Sequence, residues 1–185
     1  MKRLFVAVDL PPAVRQQVAS LCFGLPGVRW VPEEQIHLTL RFIGEVNGNI
    51  FHDIREGLAE IRFPAFDMRL QGVGYFPPRR APKVIWVGVE KNEALARLRN
   101  RVESTLVRIG LEPEGRKFAP HITLGRLKET PLPKVAAYLA GYDAFGTDAF
   151  PVEEFRLYSS TLTSDGATHT VEAEYPLQGP LTGDQ

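Results

Sequence analysis

The amino-acid sequence predicts an α+β fold with an approximate internal duplication. Strand-like runs and amphipathic helical segments occur in mixed order, and strands often follow one another directly. Each half of the chain contains a strong strand, an amphipathic helix and a strand that carries the pattern His-x-Thr-x, with apolar residues at x. Outside this pattern the halves share little residue-level similarity, so the predicted duplication concerns the architecture.

The elements follow from apolar periodicity and from the turn residues between the periodic segments. Gly110 is expected to end a long helix, and the pair Asp165-Gly166 to turn the last hairpin. We predict strands at 3–9, 28–31, 36–46, 66–73, 84–89, 121–127, 152–162 and 169–177, and helices at 12–22, 50–61, 95–109 and 133–139, with loops at 75–83 and 145–151.

The chain has the length of one ordinary domain. Its 185 residues are 44% apolar, which is enough for a substantial core. We assign residues 1–178 to a single domain and residues 179–185 to a frayed tail. With 22 basic and 22 acidic side chains, the chain has no net charge that would favour nonspecific binding to nucleic acid or membrane. The single cysteine, Cys22, excludes an internal disulfide and a cysteine-based metal site.

The N-terminal apolar run, residues 4–8, ends at Asp9 and is too short for a signal peptide or a membrane span. We therefore expect a cytoplasmic protein without membrane contact. A monomer is the expected state.

The pattern His-x-Thr-x occurs as His37-Leu38-Thr39-Leu40 and again as His121-Ile122-Thr123-Leu124. Successive strand side chains point to opposite faces, so the histidine and threonine of each copy share one face and the apolar residues point into the core. One such match is most often structural, because strands favour threonine and half-buried histidines are common. Two matches in a chain with four histidines indicate a functional pair.

Two His-Thr pairs that face each other suit chemistry at phosphorus. Histidine titrates near physiological pH, so one ring can act as a base and the other as an acid. The threonine hydroxyls can hydrogen-bond the non-bridging phosphate oxygens, where charge develops. This geometry fits in-line displacement, and a cyclic phosphodiester has a strained, internal leaving group that requires no metal. We therefore expect no cofactor and no metal.

The motifs and their flanking segments resemble the RNA 2′,3′-cyclic phosphodiesterases, historically called 2′-5′ RNA ligases, of the two-histidine phosphoesterase superfamily. The resemblance runs from about residue 3 to about residue 175, nearly the whole chain. The flanking segments that carry it are Arg3-Leu4-Phe5-Val6-Ala7-Val8-Asp9, Trp30-Val31-Pro32, Arg41-Phe42-Ile43-Gly44-Glu45-Val46, Val84-Ile85-Trp86-Val87-Gly88-Val89, Arg116-Lys117-Phe118-Ala119-Pro120 and Gly125-Arg126-Leu127.

This resemblance implies a bilobal, pseudo-two-fold fold in which two antiparallel-rich sheets flank a central cleft, with helices outside. It implies RNA with a 2′,3′-cyclic phosphate end as partner, a 2′-phosphate product and a reverse 2′-5′ ligation. Carried over by motif, His37 donates a proton to the departing 3′ oxygen, His121 is the base that activates water, and Thr39 and Thr123 hold the phosphate. Gly125 stands where the family pattern has alanine, and we expect no chemical consequence.

Four arginines are candidate RNA contacts. Arg41 has the strand parity of His37, and a cleft position and a surface position fit equally well. Arg126 belongs to the family pattern, but its parity is wrong for the cleft unless the strand bulges. Arg79 and Arg80 lie in a basic loop beside aromatic residues, where RNA phosphates can dock, although solvated loops often have this composition.

Two aromatic residues and a third histidine complete the candidates. Phe118 is a candidate for stacking on an RNA base, with core packing as the alternative. Phe42 has the apolar parity of its strand and is expected in the core. His169 shares a predicted strand face with Val171 and Tyr175, which favours a packing role.

Three other functions stay open at this stage. A zinc site on His37 and His121 would need further ligands that are not found at matching spacing, and activity in a chelator would exclude it. A noncatalytic RNA-end binding protein would keep the pocket without the reaction. A phosphodiesterase for a small cyclic nucleotide would use the same motifs on another substrate.

Overall fold

A computed structural model describes residues 1–178, and the predicted tail at 179–185 lies outside the described residues. A short 3₁₀-helix, Glu33–Gln35, precedes the first motif strand. The helices are α1 (Pro12–Ala19), α2 (Gly48–Ala59), α3 (Glu93–Ile109) and α4 (Leu132–Gly141). The strands are β1 (Lys2–Asp9), β2 (Val28–Trp30), β3 (His37–Val46), β4 (Phe66–Met68), β5 (Leu70–Phe76), β6 (Val84–Val89), β7 (His121–Leu127), β8 (Phe150–Val152), β9 (Glu154–Thr163) and β10 (Gly166–Pro176).

Two four-stranded antiparallel sheets form the fold. The first has the strand order β10-β9-β1-β3, and the second has the order β2-β7-β6-β5. Each sheet contains a strong strand beside a motif strand, β1 with β3 and β6 with β7. The predicted α+β fold with pseudo-two-fold symmetry is therefore confirmed.

The two halves of the chain exchange strands. Strands β2 and β5 come from the first half but belong to the second sheet, whereas β9 and β10 come from the second half and complete the first sheet. Neither half of the chain therefore contains all the strands of its own sheet.

Local sequence explains how the long helices begin and end. The Asn47 side chain accepts a hydrogen bond from the backbone N–H of Ile50 at 2.9 Å and caps α2. Asn92 caps α3 in the same way, through the N–H of Leu95 at 2.9 Å. Helix α3 ends at Gly110, whose φ of 120° suits glycine and confirms the predicted helix stop.

One continuous core joins both sheets to the helices. The motif residues Leu38, Leu40, Ile122 and Leu124 are at most 3% exposed and belong to one cluster with Leu98 of α3. Strand β3 contacts both α3 and β7. The core covers one face of each motif strand. The histidines lie on the opposite faces of β3 and β7, away from this core, and the two strands are neighbours.

Several predicted boundaries differ from the structure by a few residues, such as the end of α1 at Ala19, and two predicted segments are wrong about their strands. The predicted strand at 66–73 is two strands in different ladders, because β4 pairs with β8 whereas β5 pairs with β6. The predicted loop at 145–151 contains the start of β8 for the same reason. In both cases the partner is far away along the chain, so local sequence could not reveal the pairing.

Both motif strands contain a bulge at the last position of the motif. Leu40 has no partner on β1, because the residues before and after it pair with consecutive β1 residues. Leu124 has the same position between β7 and β6. One extra residue moves the side chains that follow it, up to any further irregularity, to the other face of the sheet. These bulges therefore determine which flanking residues accompany the histidines.

Candidate functional site

The His37 ring lies among other rings on the exposed side of the first sheet. It stacks on Phe5, with centroids 5.0 Å apart and an interplanar angle of 21°. Tyr158 is stacked beyond, 5.9 Å away, and the ring of His169 meets His37 edge-on at 5.5 Å. These contacts hold the imidazole in one orientation on a half-buried strand.

This environment disfavours a charge on His37. Burial, the largest cause, and the neighbouring His169 lower the pKa of His37 to about 4. The charge of Asp9 and the backbone hydrogen bond to Gln35 raise the pKa of His37, but not enough to restore its ordinary value. His37 is therefore neutral at pH 7 in the free protein.

A polar network lies beside the His37 ring on the same sheet. Arg156 donates to the Asp9 carboxylate at 2.7 Å, and the Tyr158 hydroxyl donates to it at 2.7 Å. Burial and the bond to Asp9 raise the pKa of Tyr158 to about 12, although the bond from Arg156 opposes this. Since Asp9 pairs with His37 across β1 and β3, the network holds the Asp9 carboxyl group next to the ring.

The His121 ring is fixed from the other sheet. Its Nδ1 lies 2.7 Å from the backbone oxygen of Ala119, so a proton on Nδ1 is donated there and Nε2 stays free. Phe76 meets the ring edge-on at 5.0 Å, and Trp86 lies 6.4 Å away. Each motif histidine thus has one aromatic or imidazole edge beside it, His169 in one sheet and Phe76 in the other.

The two threonines occupy equivalent positions beside the histidines. Thr39 and Thr123 are half-buried, and each lies two residues after its histidine. Both therefore precede the bulge that moves the next side chains to the opposite face. Thr39 pairs with Ala7 of β1, and Thr123 pairs with Trp86 of β6. The hydroxyl and imidazole of each motif therefore share a face, as the sequence predicts.

Arg41 does not reach the histidine face. Because Leu40 is an extra residue, the Arg41 side chain turns to the core side, where only 8% of it is exposed. Its Nε lies 3.1 Å from a carboxylate oxygen of Glu103, and its Nη2 donates to the backbone oxygen of Glu112 at 2.6 Å. The cleft and surface positions expected for Arg41 are both wrong.

The same bulges bring two other residues onto the histidine faces. Phe42 is 60% exposed and its ring lies 6.0 Å from Phe5, so the predicted core position is wrong. Arg126 is exposed and pairs with Val84, which shares the face of Trp86. The bulge required to aim Arg126 at the cleft is therefore present.

The structure shows a packing contact for Phe118 and an exposed position for the loop arginines. Phe118 is partly buried against the core, and the guanidinium of Arg99 lies 5.4 Å from its ring centre, which fits the packing alternative. Arg79 and Arg80 are exposed in the loop between β5 and β6.

His169 shares a face with Val171 as expected, but the expectation that Tyr175 lies on the same face is wrong. A bulge at Glu172 separates Val171 from Ala173, so Tyr175 enters the core while His169 stays on the side of His37. Sequence reasoning also missed Phe5, Asp9, Arg156 and Tyr158. The alternation of Phe5, Ala7 and Asp9 along β1 is the signal that could have found two of them.

Gly125 has a steric role that sequence reasoning missed. A Cβ at this position would stand 2.5 Å from Cγ1 of Val28 and 3.0 Å from the ring of Trp30. The close approach of β2 to β7 therefore requires glycine.

Within residues 1–178, no three His, Cys, Asp or Glu side chains are grouped in a way that could hold a metal ion. None of the helices in this part of the chain is long and apolar enough to cross a membrane.

The model of the LigT-like phosphoesterase family matches the sequence twice, over residues 8–86 and 87–168. The chain belongs to the LigT-like phosphoesterase family. Each match contains one His-x-Thr-x motif, so the two halves of this phosphoesterase are repeats of one unit. The family resemblance stated from the motifs is confirmed.

Curated relatives of this LigT-like phosphoesterase are similar over nearly their whole length. An Archaeoglobus fulgidus protein named RNA 2′,3′-cyclic phosphodiesterase is 37% identical over 167 residues, which cover 89% of this chain and 94% of the relative. A Thermotoga maritima protein of the same name is 37% identical over 185 residues, covering 97% of both chains.

Solved structures agree with this assignment. A crystal structure of Escherichia coli LigT complexed with 3′-AMP has a TM-score of 0.78 at 28% identity and covers 95% of this chain and 98% of its own. A crystal structure described as a phosphoesterase has a TM-score of 0.80 at 29% identity, with 96% and 98% covered.

Proposed function

We propose that this phosphoesterase hydrolyses the 2′,3′-cyclic phosphate at the end of an RNA chain to a 2′-phosphate. The observation that carries the proposal is the pair of His-Thr faces on adjoining strands β3 and β7, each with an oriented imidazole. The names of the curated relatives support RNA as the substrate.

In the proposed reaction, Thr39 and Thr123 donate hydrogen bonds to the non-bridging oxygens of the cyclic phosphate. His121 takes a proton from water through Nε2, and the oxygen of that water forms the new bond to phosphorus. The bond from phosphorus to the 3′ oxygen breaks, and His37 gives that oxygen a proton. The same ring opening with a 5′-hydroxyl in place of water forms a bond from phosphorus to the 5′ oxygen, breaks the bond to the 3′ oxygen and gives 2′-5′ ligation. The steps require no cofactor.

The lowered pKa of His37 constrains this assignment. A ring that is neutral at pH 7 must gain its proton when the anionic phosphate binds, because the new negative charge beside it raises its pKa. The same observation favours a second candidate assignment, in which neutral His37 is the base and His121 is the acid.

The first experiment incubates the protein with RNA that ends in a 2′,3′-cyclic phosphate and identifies the product, with EDTA present. We expect a 2′-phosphate, and we expect His37→Ala and His121→Ala each to lower kcat by about 10²- to 10⁴-fold. A 3′-phosphate would mean that the other oxygen leaves. Unchanged turnover in both variants would refute the proposal, and an RNA that is bound but never cleaved would indicate a noncatalytic binding protein.

A substrate whose leaving group needs no proton shows which histidine is the acid and which is the base. An aryl phosphodiester of the same ribose, such as the 3′-(p-nitrophenyl) phosphate of a 2′-O-methyl nucleoside, releases a phenolate without protonation. The variant that lacks the acid should keep most of its activity on this substrate, whereas the variant that lacks the base should not. Retention by His37→Ala supports His37 as the acid, and retention by His121→Ala reverses the assignment.

The pH dependence of kcat/KM should be bell-shaped, because one histidine must be protonated and the other neutral. The acidic limb should lie near the pKa of free His37, at about 4. Replacing His169 with phenylalanine removes one of the causes that lower this pKa, so the acidic limb should move to higher pH. A flat profile between about pH 3 and 9, the range that spans histidine titration, would contradict two-histidine catalysis if chemistry limits the rate.

A further inference from the structure

A segment without helix or strand, residues 111–120, leads from α3 into the second motif strand. It contains Ala119, whose exposed backbone oxygen accepts the Nδ1 proton of His121 at 2.7 Å. Within residues 1–178, no backbone–backbone hydrogen bond involves residues 112–120. The position of the oxygen that orients the His121 ring therefore depends on side-chain contacts.

The first motif histidine has a different arrangement. Gln35, two residues before His37, also hydrogen-bonds its histidine through the backbone. Gln35 belongs to the 3₁₀-helix and donates its own N–H to the backbone oxygen of Pro32 at 2.9 Å. Local hydrogen bonds thus fix the orienting backbone of the first repeat, whereas in the described chain the backbone around Ala119 has none.

Three charged side chains are packed together beside the 111–120 segment. Arg41, Arg99 and Glu103 are only 8%, 13% and 15% exposed. One carboxylate oxygen of Glu103 lies 3.1 Å from Nε of Arg41 and 3.1 Å from Nη2 of Arg99. A single carboxylate therefore serves two guanidinium groups, which leaves an excess positive charge. Because burial of an unpaired charge is unfavourable, this excess has to be stabilised by a further partner.

The ring of Phe118 supplies this partner. The guanidinium carbon of Arg99 lies 5.4 Å from the ring centre, within the range of a cation–π contact. The Nε of Arg99 is buried and has no hydrogen-bond partner within residues 1–178, and its Nη1 lies 3.5 Å from Oδ1 of Asn100. Arg99 is thus held between the Glu103 carboxylate and the face of Phe118, the residue directly before Ala119.

Arg41 anchors the other end of the segment. Its Nη2 donates to the backbone oxygen of Glu112 at 2.6 Å. Arg41 belongs to β3, the strand of His37. The charged cluster therefore connects the first motif strand to both ends of the segment that precedes the second motif.

We propose that Arg99 is a positioning residue for His121. Arg99 holds the Phe118 ring, and Phe118 fixes the adjoining backbone oxygen of Ala119. This oxygen keeps a proton on Nδ1 of His121 and leaves Nε2 free for the reaction. The inference rests on the proposed function for the role of Nε2, but the state of the ring can be measured without a substrate.

The decisive variant is Arg99→Met, which removes the charge and keeps a side chain of similar helix propensity. NMR of the protein with ¹⁵N-labelled histidine, at a pH of about 8 where histidine is neutral, distinguishes the two tautomers of each ring. We expect one Nδ1-protonated tautomer of His121 in the natural protein and a mixture in Arg99→Met. On RNA with a cyclic phosphate end, kcat should fall by about 10- to 100-fold with little change in KM, because the misplaced group acts in the chemical step.

The contact with Phe118 is tested by Phe118→Leu, which keeps an apolar side chain but removes the aromatic face. This variant should also give a tautomer mixture. If Arg99 acts through Phe118, the double variant should lose no more kcat than the more impaired single variant. Losses that multiply would mean that the two residues act independently, and would overturn the proposed route.

Two further substitutions on α3 make the comparison specific. Arg99→Lys keeps the charge but loses the planar fork that reaches Glu103 and Phe118 together, so its kcat should lie between those of Arg99→Met and the natural protein. Arg97→Met removes the same charge from a side chain that is 73% exposed, and it should match the natural protein in tautomer and kcat.

The tautomer measurement separates positioning from simple stabilisation. A single Nδ1-protonated His121 in both Arg99→Met and Phe118→Leu would overturn the proposal, even if urea unfolded both variants more easily, because the cluster would then only stabilise the fold. A natural protein with the proton on Nε2 would overturn it as well. If Arg99→Met does not fold, the same measurement on Phe118→Leu and Arg99→Lys decides. If the natural protein hydrolyses no cyclic phosphate, the proposed function fails, whereas the tautomers still decide whether Arg99 positions His121.

Discussion

Protonation of the His37 ring is less favourable in the folded protein than in the unfolded chain. In the unfolded chain its pKa returns to about 6.5, whereas in the folded protein it is about 4. Between these values the unfolded chain binds a proton that the folded chain does not, so acidification favours unfolding. The contribution is absent above the unfolded pKa, grows as the pH falls through this window and levels off below the folded pKa.

We predict that His37→Gln removes this acid sensitivity. Between about pH 7 and pH 4, the free energy of unfolding of the natural protein should fall by on the order of 3 kcal/mol more than that of the variant. Urea unfolding at a series of pH values measures the difference. His52→Gln, on the exposed side of α2, is the matched control and should follow the natural protein. Parallel curves for His37→Gln and the natural protein would show that the folded ring is not desolvated.

The exposed ring of Phe42 offers a stacking surface beside His37, through its contact with Phe5. We predict that Phe42→Ala lowers kcat/KM on RNA by about 5- to 150-fold, the range for losing one base–aromatic stack, and that Phe42→Trp keeps it. A methyl riboside 2,3-cyclic phosphate, which has no base, should show no such loss. Phe23→Ala is the control, since Phe23 is 62% exposed against 60% for Phe42. Equal losses on both substrates would argue against stacking.

Single-residue bulges mark the limit of what the sequence predicts at this scale. The motif histidines and threonines lie before the bulges, so simple alternation placed them on the correct face. Arg41 and Phe42 lie beyond an extra residue from His37, and both were placed on the wrong face. An extra residue also separates His169 from Tyr175, so these two do not share a face as predicted. A bulge is visible only in the pairing with a neighbouring strand, and that partner comes from a remote part of the chain.

Among the strands and helices, the short strand β2 depends on a glycine in its neighbour. A Cβ at Gly125 would meet a methyl group of Val28, the ring of Trp30 and the backbone oxygen of Arg29 within 3.1 Å. We predict that Gly125→Ala displaces β2 and lowers the free energy of unfolding by about 1–3 kcal/mol, as overpacking does. Urea unfolding measures this change.

Gly141 provides the control for this substitution. A Cβ at this position in α4 would meet nothing within 4 Å, so Gly141→Ala should leave the stability equal or slightly raised, by up to about 1 kcal/mol. If Gly125→Ala were as stable as Gly141→Ala, β2 would have room to move and glycine would not be required there.

The elements themselves were largely predictable because their signals are local. Asparagine caps, a helix-ending glycine and apolar periodicity lie within a few residues of each boundary, and α2, α3, β6 and β7 follow them closely. The split between β4 and β5 has no local signal, since it depends on β8. The sequence therefore predicts which segments are strands better than which strands are neighbours.

Across the whole molecule, the two repeats are similar in backbone but not in chemistry. Phe42 and Arg126 each lie five residues after a motif histidine and each reach the open face through an equivalent bulge, yet one is aromatic and the other cationic. The pseudo-symmetric frame thus supplies two His-Thr pairs, and the residues beyond the bulges distinguish the two sides. In the proposed reaction, this difference would give the RNA strand one direction in the site.

Exchange of strands between the repeats makes each half depend on the other. A fragment of residues 1–86 contains β2 and β5 with only residues 84–86 of β6 and without β7, and its β1 lacks β9. Their edges and the apolar side chains of the shared core would be exposed to water. We predict that this fragment alone shows no cooperative unfolding transition by circular dichroism, and that adding residues 87–185 restores one. A fragment that unfolds cooperatively by itself would show that the first repeat is an independent folding unit, despite the strands that it shares with the second.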